Sequence, residues 1–307
     1  MNHNTFKQPT RILVIGSSNT DMVIKADNLP KVGETVLGGS FLMSPGGKGA
    51  NQAVAAARMG GQVQLIAKVG NDIFGSQAIN QFKRENIETS AIFTDADTPS
   101  GVALIGVDTT GENYILVAPG ANHNLTVQEI EIALQNIGHP CIVLIQLEIP
   151  SVVVEQTIAL CAAKKMPIIL NPAPASPLRQ ELYKNIWIIT PNETETELLT
   201  GVKIRDMNSA KKAAEKFRSW GTEHVVITMG GKGAFVCNKT MSKLIPTPNV
   251  TAKDSTGAGD CFNGALAVAL SENMGFESAV HFACKAASIS VTRLGAQSAM
   301  PYRKELG

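Results

Sequence analysis

The segment Asp254-Ser-Thr-Gly-Ala-Gly-Asp260 places three small residues in a row before a carboxylate, and an apolar run with helical spacing follows. This pattern predicts a helix whose first turn has unpaired backbone N–H groups at the positive end of the helix dipole. Such a helix start attracts anions, phosphate above all. Asp260 would disfavour an anion there unless it had a chemical purpose, such as accepting a proton from a hydroxyl that attacks the phosphate. The segment therefore predicts phosphoryl transfer.

A second glycine-rich segment, Gly46-Gly-Lys-Gly-Ala-Asn51, leads directly into a predicted helix. Its glycines let a ligand approach the backbone closely, while Lys48 and Asn51 supply a charged donor and an amide. The G-x-x-x-x-G-K-[ST] spacing of a P-loop does not occur in the chain. The segment is either a tight turn or a contact for a polyol or a phosphate, and the adjacent Lys and Asn favour the contact.

Polar side chains also follow two of the predicted strands. Asn19 and Asp21 lie two residues apart on an extended segment, so they point the same way and could hold neighbouring hydroxyls. The alternative is an Asx turn, which both residue types form readily. Glu148 closes a later strand and is either a sugar ligand or a neighbour of a helix N-cap. In open α/β sheets ligands gather at the carboxyl ends of strands, where these residues are expected.

Two further segments each allow both a structural and a ligand-binding interpretation. Asn192, Glu193 and Glu195 begin a predicted helix, where they indicate ordinary capping, water-mediated Mg²⁺ binding or both. Residues 228–233, Thr-Met-Gly-Gly-Lys-Gly, join two predicted strands and form either a hairpin turn or a close contact for a nucleotide. The pentapeptide Gly-Gly-Lys-Gly-Ala occurs at 46–50 and again at 230–234. We interpret this as similar chemistry reached twice, not as a domain repeat.

Strand-like runs alternate with helical patterns along most of the chain, which predicts a mostly parallel sheet covered on both faces. The predicted strands are 11–15, 63–68, 141–147, 167–170, 186–190, 224–228 and 234–237. The predicted helices are 49–59, 73–85, 151–164, 178–183, 209–220 and two Ala-rich ones that start at 258 and 277.

One region interrupts this alternation. Residues 22–25, 35–43, 101–108 and 113–117 read as strands, and no helix separates the last two. We expect a small sheet outside the main one, formed by two excursions of the chain and able to act as a lid that excludes water. The alternative is that these strands extend the main sheet.

The composition disfavours several classes of partner. With 27 basic and 26 acidic side chains, the 307-residue chain has a net charge of +1 and no basic block. We therefore expect neither nucleic acid nor an anionic membrane as the main partner. No apolar run reaches the roughly 20 residues that span a bilayer. Residues 1–10 are polar, lack the apolar segment of a signal peptide and are interpreted as a flexible tail.

Cysteines, histidines and glycines exclude other chemistry. The five cysteines are scattered without a C-x-x-C pair, which favours unpaired thiols in a reducing cytoplasm. The five histidines stand alone, which disfavours a hydrolase. No G-x-G-x-x-G follows the first predicted strand, which disfavours an NAD-dependent oxidoreductase. A catalytically idle sugar or nucleotide sensor is the other alternative, but a binder would not need Asp260.

Together these motifs resemble the ribokinase branch of the PfkB sugar-kinase family. The resemblance covers residues 11–302 as a single kinase domain and rests on signatures at 46–51 and 254–262, with Asn171-Pro-Ala-Pro-Ala in support. It implies an α/β fold: a Rossmann-like three-layer sandwich with a mostly parallel central sheet and a small protruding β-sheet lid. The lid would come from about 20–45 and 98–120, and two chains would pair as a homodimer through their lids.

The resemblance further implies ATP-dependent phosphorylation of D-ribose at its 5-hydroxyl, with 2-deoxyribose or another pentose as the alternative substrate. Asp260 corresponds to the catalytic base, and the backbone amides of Gly257, Ala258, Gly259 and Asp260 to the anion hole. The residues that correspond to sugar contacts are Asn19, Asp21, Gly47, Lys48, Asn51, Glu148 and Asp260. Those that correspond to ATP contacts are Asn192, Thr228, Gly230, Gly231, Lys232, Gly233, Gly259 and Cys284.

Two cations are implied in the same way. Mg²⁺ would be held indirectly near Asn192 and Glu195. The positions that correspond to the ligands of an activating monovalent cation, usually K⁺, are Asp254, Thr256, Ser290, Arg293, Gly295 and Ala299. The chain departs from the family at two places, because Ala299 stands where the family has a serine and Cys284 where it commonly has Asn or His. Both departures bear on affinity or activation more than on the type of reaction.

Overall fold

A central sheet of nine strands and a separate sheet of four organise the protein. The computed structural model describes residues 10–135, 137 and 141–307. The strands are β1 (Arg11–Ile15), β2 (Asn19–Lys25), β3 (Ser40–Gly46), β4 (Val63–Gly70), β5 (Ile92–Asp95), β6 (Gly101–Val107), β7 (Asn113–Ala118), β8 (Cys141–Ile145), β9 (Ile168–Leu170), β10 (Ile188–Ile189), β11 (His224–Thr228), β12 (Ala234–Cys237) and β13 (Ser242–Ile245). The helices are α1 (Lys48–Arg58), α2 (Ile73–Arg84), α3 (Val127–Gln135), α4 (Ser151–Ala163), α5 (Glu193–Thr200), α6 (Met207–Ser219), α7 (Ala258–Ser271) and α8 (Phe276–Ser290).

The central sheet has the order β13-β12-β11-β10-β9-β8-β1-β4-β5. Its pairs are parallel except β11–β12 and β12–β13. Successive residues of a strand point to opposite faces, and in β1 Ile12 and Val14 pack into one core while Leu13 and Ile15 pack into the other. Both faces are therefore covered by helices, and the predicted three-layer α/β sandwich is confirmed.

Helices α1 and α7 pack against each other at backbone distance. A Cβ added at Gly264 of α7 would lie 2.6 Å from Ala55 Cβ and 2.7 Å from Gln52 O, both on α1. Only glycine fits such a contact, because any side chain would separate the two helices. The contact brings the helix that carries Asp260 against the helix that starts with Lys48.

The small sheet has the order β3-β2-β6-β7 and stands apart from the central sheet. The predicted lid is therefore confirmed as a separate sheet, and the alternative that its strands extend the main sheet is wrong. The predicted strand at 35–43 is partly wrong, because β3 starts only at Ser40. Gly38 and Gly39 just before it have φ angles of 117° and 92°, which end the extended conformation.

Two other predictions need comment. The predicted helix at 178–183 is instead a 3-10 turn at Gln180–Asn185, a segment too short to sustain an α-helix. The predicted flexible tail, residues 1–10, lies outside the described residues except for Thr10, which is buried. No helix among the described residues is long and apolar enough to cross a membrane.

Candidate active site

The polar segments singled out in the sequence gather at the carboxyl edge of the central sheet. They follow β1, β8, β9, β10 and β11 in turn, as expected for a ligand site in an open α/β sheet. A cavity of about 590 Å³ opens there. Its wall includes Lys48 from the first glycine-rich segment, Gly230 from the second and Asp260 from α7. The three segments that were predicted to carry chemistry therefore share one cleft.

The start of α7 has the features of an anion site. Gly257 caps the helix with a φ of 73°, a left-handed conformation that favours glycine. The amide of Ala258 donates to Ser255 O at 3.1 Å. Within the described part of the chain, the N–H groups of Gly259 and Asp260 have no acceptor, and a Cβ at Gly259 would meet open space. The amides of 257, 259 and 260, more than that of 258, are thus placed to hold a negative group.

Asp260 is 5% exposed and receives two amide hydrogen bonds from α1. Asn51 Nδ2 donates to Oδ2 at 2.9 Å, and Gln52 Nε2 donates to Oδ1 at 2.9 Å. Burial raises the pKa of Asp260 above its usual value, while Lys48 and the two amides oppose that rise. The arrangement makes Asp260 a stronger proton acceptor than a surface aspartate and still stabilises its ionised form.

Lys48 lies at the centre of a group of carboxylates. Burial lowers its pKa, but attraction to Asp260, Glu148, Glu195 and Asp21 outweighs burial and raises the pKa above its usual value. Burial, together with repulsion from Glu148 and Asp260, raises the pKa of Asp21 to about 6. Closely spaced carboxylates around one ammonium group suit a neutral ligand with several hydroxyls, since each hydroxyl can both donate and accept.

The predicted sugar-contact segments touch one another. Glu148 Oε2 accepts from Ser17 Oγ at 2.6 Å and from Lys48 N at 2.9 Å. Gly47 has a φ of 87°, and a Cβ there would lie 2.7 Å from Asn19 N. Asn19 is buried at the base of the lid, and its Oδ1 accepts from Asn122 Nδ2 at 2.8 Å. The structure thus places Asp21, Lys48, Asn51 and Glu148 around Asp260, whereas Asn19 lines a second cavity at the base of the lid.

Asn192 and Glu195 form a capping box at the start of α5. Asn192 Oδ1 accepts from Glu195 N at 2.8 Å, and Glu195 Oε2 accepts from Asn192 N at 2.8 Å. Both residues line the cavity, and burial raises the pKa of Glu195. Capping is therefore present, and the cavity-facing carboxylate also belongs to the ligand type that Mg²⁺ uses with substrate phosphates.

The predicted nucleotide contacts divide into two groups. The residues that line the cavity are Asn192, Thr228, Gly230, Gly231, Gly233, Gly259 and Cys284. Lys232 is not among them, because its side chain is 64% exposed and lies 3.8 Å from Glu193. Burial raises the pKa of Cys284 to about 12, so its thiol faces the cavity in the neutral form.

Two of the residues predicted for a monovalent cation, Thr256 and Gly295, donate hydrogen bonds to Asp254. Burial acts to raise the pKa of Asp254, but hydrogen bonds from Thr256 and Gly295 hold it below its usual value. Gly295 N donates to Asp254 Oδ2 at 2.8 Å, and Arg293 N donates to Ser290 O at 3.1 Å. These contacts fix the segments that contain the predicted cation ligands relative to one another.

Position 299 is where the chain has an alanine in place of the serine that the resemblance implies. Ala299 is fully buried and has no side-chain oxygen, while Ser298 Oγ donates to Leu294 O at 3.0 Å. In the parts of the chain that the structure describes, no group of three or more His, Cys, Asp or Glu side chains is placed to hold a metal ion. A cation here would therefore rely on backbone carbonyls, hydroxyls and single carboxylates.

The sequence interpretation missed several amides around Asp260. Gln52 binds Asp260 directly, and its position next to Asn51 in the glycine-rich segment was an available signal. Gln52 Nε2 also donates to Asn171 Oδ1 at 3.0 Å. Gln146 and Gln297 hold Gln52 and Asn51 respectively, and nothing in the local sequence marks them. Asp260 is thus embedded in a continuous network of buried amides.

A lid, a helix start open to anions and a buried carboxylate next to hydroxyl-binding groups are the parts of an enzyme that phosphorylates a sugar. Residues 9–303 match the model of the pfkB family carbohydrate kinases, and the chain belongs to this family.

Similar proteins span nearly the whole chain. A ribokinase of Haemophilus influenzae is 44% identical over 294 residues, which are 96% of each protein. A deoxyribokinase of Salmonella typhi is 35% identical over 291 residues, 94% of this chain and 95% of the relative. The solved structure of an Arabidopsis thaliana ribokinase complexed with ribose and ATP has a TM-score of 0.89 at 30% identity, and covers 97% of this chain and 98% of its own.

Proposed function

We propose that this kinase transfers the γ-phosphoryl group of ATP to the 5-hydroxyl of D-ribose, giving D-ribose 5-phosphate and ADP. The observation that carries the proposal is the position of Asp260, which lies in the first turn of α7, lines the shared cavity and faces the Lys48 cluster. The similarity to ribokinases, one of them solved with ribose and ATP, supports the choice of substrates.

In this mechanism the protein positions its substrates and stabilises charge. The triphosphate extends from the second glycine-rich segment toward the start of α7, where the amides of Gly259 and Asp260 receive the transferring phosphoryl group. Asp260 accepts the proton of the 5-hydroxyl as its oxygen attacks the γ-phosphorus. The bond from that phosphorus to the bridging oxygen breaks, and ADP leaves. Because these charged groups lie in a partly buried cleft, their electrostatic interactions are stronger than they would be in bulk water.

The sugar occupies the space between Lys48, the lid base and α7. Asp21 and Glu148 accept hydrogen bonds from its hydroxyls, while Lys48 and the amides of Asn19 and Asn51 donate. These roles are supported by the electrostatic interaction of Asp21, Lys48 and Glu148 with Asp260 and by the hydrogen bond from Asn51 to Asp260, with Asn19 at the base of the lid. The adenosine part would lie along Thr228 and the second glycine-rich segment toward Cys284.

Two cations complete the proposal. Asn192 and Glu195 would hold Mg²⁺ together with substrate phosphates and water, and the ion would neutralise phosphate charge. A monovalent cation such as K⁺ would be held by Asp254, Thr256, Ser290, Arg293, Gly295 and the backbone carbonyl at Ala299. Because Asp254 and Gly295 are bonded to each other directly beside the start of α7, such an ion would support the shape of the anion hole.

The test is the Asp260→Asn variant in an assay that couples ADP release from ATP and ribose to a spectroscopic signal. We expect turnover to fall by at least about 10²–10³-fold, the scale seen when one transition-state group is removed. Ribose binding, followed by calorimetry, should remain measurable. Asp206→Asn is the matched control, because Asp206 is an exposed N-cap of α6 and asparagine caps equally well. Turnover of Asp260→Asn close to that of the control would exclude Asp260 as the base.

A second substrate is favoured by one observation, the similarity to a deoxyribokinase of Salmonella typhi. The two sugars differ only at the 2-hydroxyl. A competition assay of ribose against 2-deoxyribose decides between them, since each sugar's kcat/KM then reports on the same site in one reaction.

The lid supports a proposal about assembly. Its strand β7 is exposed along all six residues, and Leu116 is 70% and Phe41 64% exposed. Exposed apolar patches of this kind mark interaction sites, and a self-complementary sheet face suits a two-fold pair. We propose a homodimer through the lids, which sedimentation analysis of the whole chain tests. We also assign the enzyme to the cytoplasm, because all five cysteines are unpaired and buried.

A further inference from the structure

Two amide side chains donate to Asp260, and each of them is held at its other end by a buried glutamine. Gln297 Nε2 donates to Asn51 Oδ1 at 3.0 Å, and Gln146 Nε2 donates to Gln52 Oε1 at 2.6 Å. An amide has one donating and one accepting end, so a rotation of the group by half a turn would exchange them. The two glutamines, together with Asn171 Oδ1 at Gln52, therefore favour the orientation in which the donating end of each amide faces the carboxylate.

This orientation matters because the two orientations of each amide have opposite electrostatic effects on the Asp260 carboxylate. With Asn51 Nδ2 and Gln52 Nε2 facing it, the Asp260 carboxylate receives two hydrogen bonds. If either amide turned, a carbonyl oxygen would face the carboxylate and repel its ionised form. The ionised form is the one that can accept a proton, so the orientation of both amides bears directly on the base.

Resting on the proposed function, we propose that Gln146 and Gln297 are positioning residues, each of which locks one amide so that Asn51 and Gln52 both donate to Asp260. Neither glutamine lines the cavity that contains Lys48 and Asp260, although Gln297 lines a second cavity together with Asn19. Neither is assigned a direct part in the reaction. They act through their neighbours.

The surroundings of Gln146 support a functional reason for a glutamine there. Its side chain is completely buried, and its Oε1 has no hydrogen-bond partner among the described residues. A buried oxygen without a partner destabilises the folded state, and an apolar side chain at the end of β8 would avoid that cost. A Cβ at Gly16 would lie 2.0 Å from this oxygen, so the neighbouring glycine provides the space that the glutamine needs.

Gln297 is held from several sides. It is 2% exposed, its Oε1 accepts from Gln81 Nε2 at 2.6 Å, and its backbone oxygen accepts from Arg58 Nη1 at 2.6 Å. It lies two residues after Gly295, whose amide binds Asp254 beside the anion hole. One short segment therefore supports both the helix start that receives the phosphoryl group and the base that activates the hydroxyl.

The electrostatic surroundings of Asp260 let this idea be tested by pH. The charged groups that face Asp260 are Lys48 on α1, Glu148 after β8, Asp21 on β2 and Glu195 on α5. None of them is changed when a neutral glutamine is replaced by a neutral residue. A loss of amide donation would therefore raise the pKa of Asp260 and move the acid limb of the kcat profile to higher pH.

The experiment compares Gln146→Met and Gln297→Met with Gln64→Met in the full chain. Gln64 is also a buried glutamine, but it lies on β4 and bonds to Ser90, away from the site. We expect kcat to fall by about 10- to 100-fold in the first two variants, the range for a small misplacement of reacting groups. The acid limb of their kcat–pH profiles should shift to higher pH, while their KM for ATP should change less than threefold. Gln64→Met should match the wild type in kcat, in the acid limb and in KM.

Each outcome decides the matter. If either variant keeps the kcat and the acid limb of Gln64→Met, that glutamine is not a positioning residue. If a Met variant does not fold, the neutral Gln297→Asn and Gln146→Asn replace it, because an amide one methylene shorter withdraws its donor from the neighbouring amide oxygen without adding a charge. If the wild type itself releases no ADP with ribose, the proposed function fails, which is a different result from variants that match an active wild type.

Discussion

The same five residues, Gly-Gly-Lys-Gly-Ala, have two different structures in this protein. At 46–50 they open α1, and Lys48 is surrounded by carboxylates. At 230–234 they form a 3-10 turn between two antiparallel strands, and the Lys232 side chain is 64% exposed. A shared local sequence therefore did not produce a shared local chemistry.

The difference comes from what each segment packs against. A Cβ at Gly47 would lie 2.7 Å from Asn19 N, and a Cβ at Gly49 would lie 2.6 Å from Gly16 C, so the first segment is pressed against the loop after β1. A Cβ at Gly231 would meet nothing within 4 Å. The first segment packs against the loop after β1 through two of its glycines, whereas the second is open at Gly231 and packs closely only at its end, where a Cβ at Gly233 would lie 2.1 Å from Ile245 O.

Lys48→Met and Lys232→Met test this comparison with one substitution in two places. We expect kcat/KM for ribose to fall by about 10²–10³-fold for Lys48→Met, because it removes the ammonium group whose charge balances the carboxylates around Asp260. Lys232→Met should change it less than about twofold, since an exposed ion pair contributes little. Steady-state kinetics measures both, and comparable losses in the two variants would contradict the distinction.

Gly47→Ala and Gly231→Ala test the packing side of the comparison. Gly47 has a left-handed φ of 87° and a close backbone neighbour, so we expect alanine to lower the free energy of unfolding by about 2–4 kcal/mol. Gly231→Ala should change it by less than about 0.5 kcal/mol. Urea unfolding followed by circular dichroism compares them, and a Gly47→Ala midpoint equal to that of Gly231→Ala would show that the first segment relaxes easily.

Asp21→Asn tests how much the carboxylate cluster costs the folded state when no sugar is bound. Because the pKa of Asp21 is raised from 3.8 to about 6, its protonated form stabilises the folded state below pH 4, and this stability is lost as the pH rises through 6. This rise in the pKa of Asp21 from 3.8 to about 6 corresponds to at most about 3 kcal/mol of unfolding free energy. We therefore expect Asp21→Asn to equal the wild type at pH 4 and to exceed its unfolding free energy by 1–3 kcal/mol at about pH 7.

The wild type and the variant would be unfolded in urea at several pH values. A stability difference that does not change between pH 4 and pH 7 would show that Asp21 carries no raised pKa. Ribose binding should weaken in the same variant, so the group that destabilises the empty site would be one that the ligand needs.

The sequence was sufficient for elements whose signals are local. Strands β1 and β4 and helices α1 and α7 were predicted close to their observed bounds, because continuous apolar runs and Ala-rich patterns do not depend on distant partners. Strands β5 and β13, Ile-Phe-Thr-Asp and Ser-Lys-Leu-Ile, were not predicted because they lack the apolar run of the equally short β12, Ala-Phe-Val-Cys. The two-residue β10 was overextended because its bounds are set by the strands with which it pairs.

The site residues also differ in whether a local sequence pattern marks them. Asp260, Lys48 and Asn51 were singled out in the sequence because glycine-rich surroundings mark them. Gln297 was missed because its partner, Asn51, is 246 residues away along the chain, and a glutamine has no local pattern that signals such a contact. Lys232 was given a nucleotide role from its glycine neighbours alone, whereas its exposure depends on the turn geometry of the folded protein.

The close contact at Gly264 has a consequence for how the enzyme can move. Asp260 and Asn51 belong to segments 209 residues apart, yet a glycine one turn beyond Asp260 presses their two helices together. Because α1 and α7 are in contact at backbone distance, we expect Asp260 and its amide neighbours to move together as one rigid unit. Gly264 has no reactive atom, yet its small size determines whether that unit stays intact.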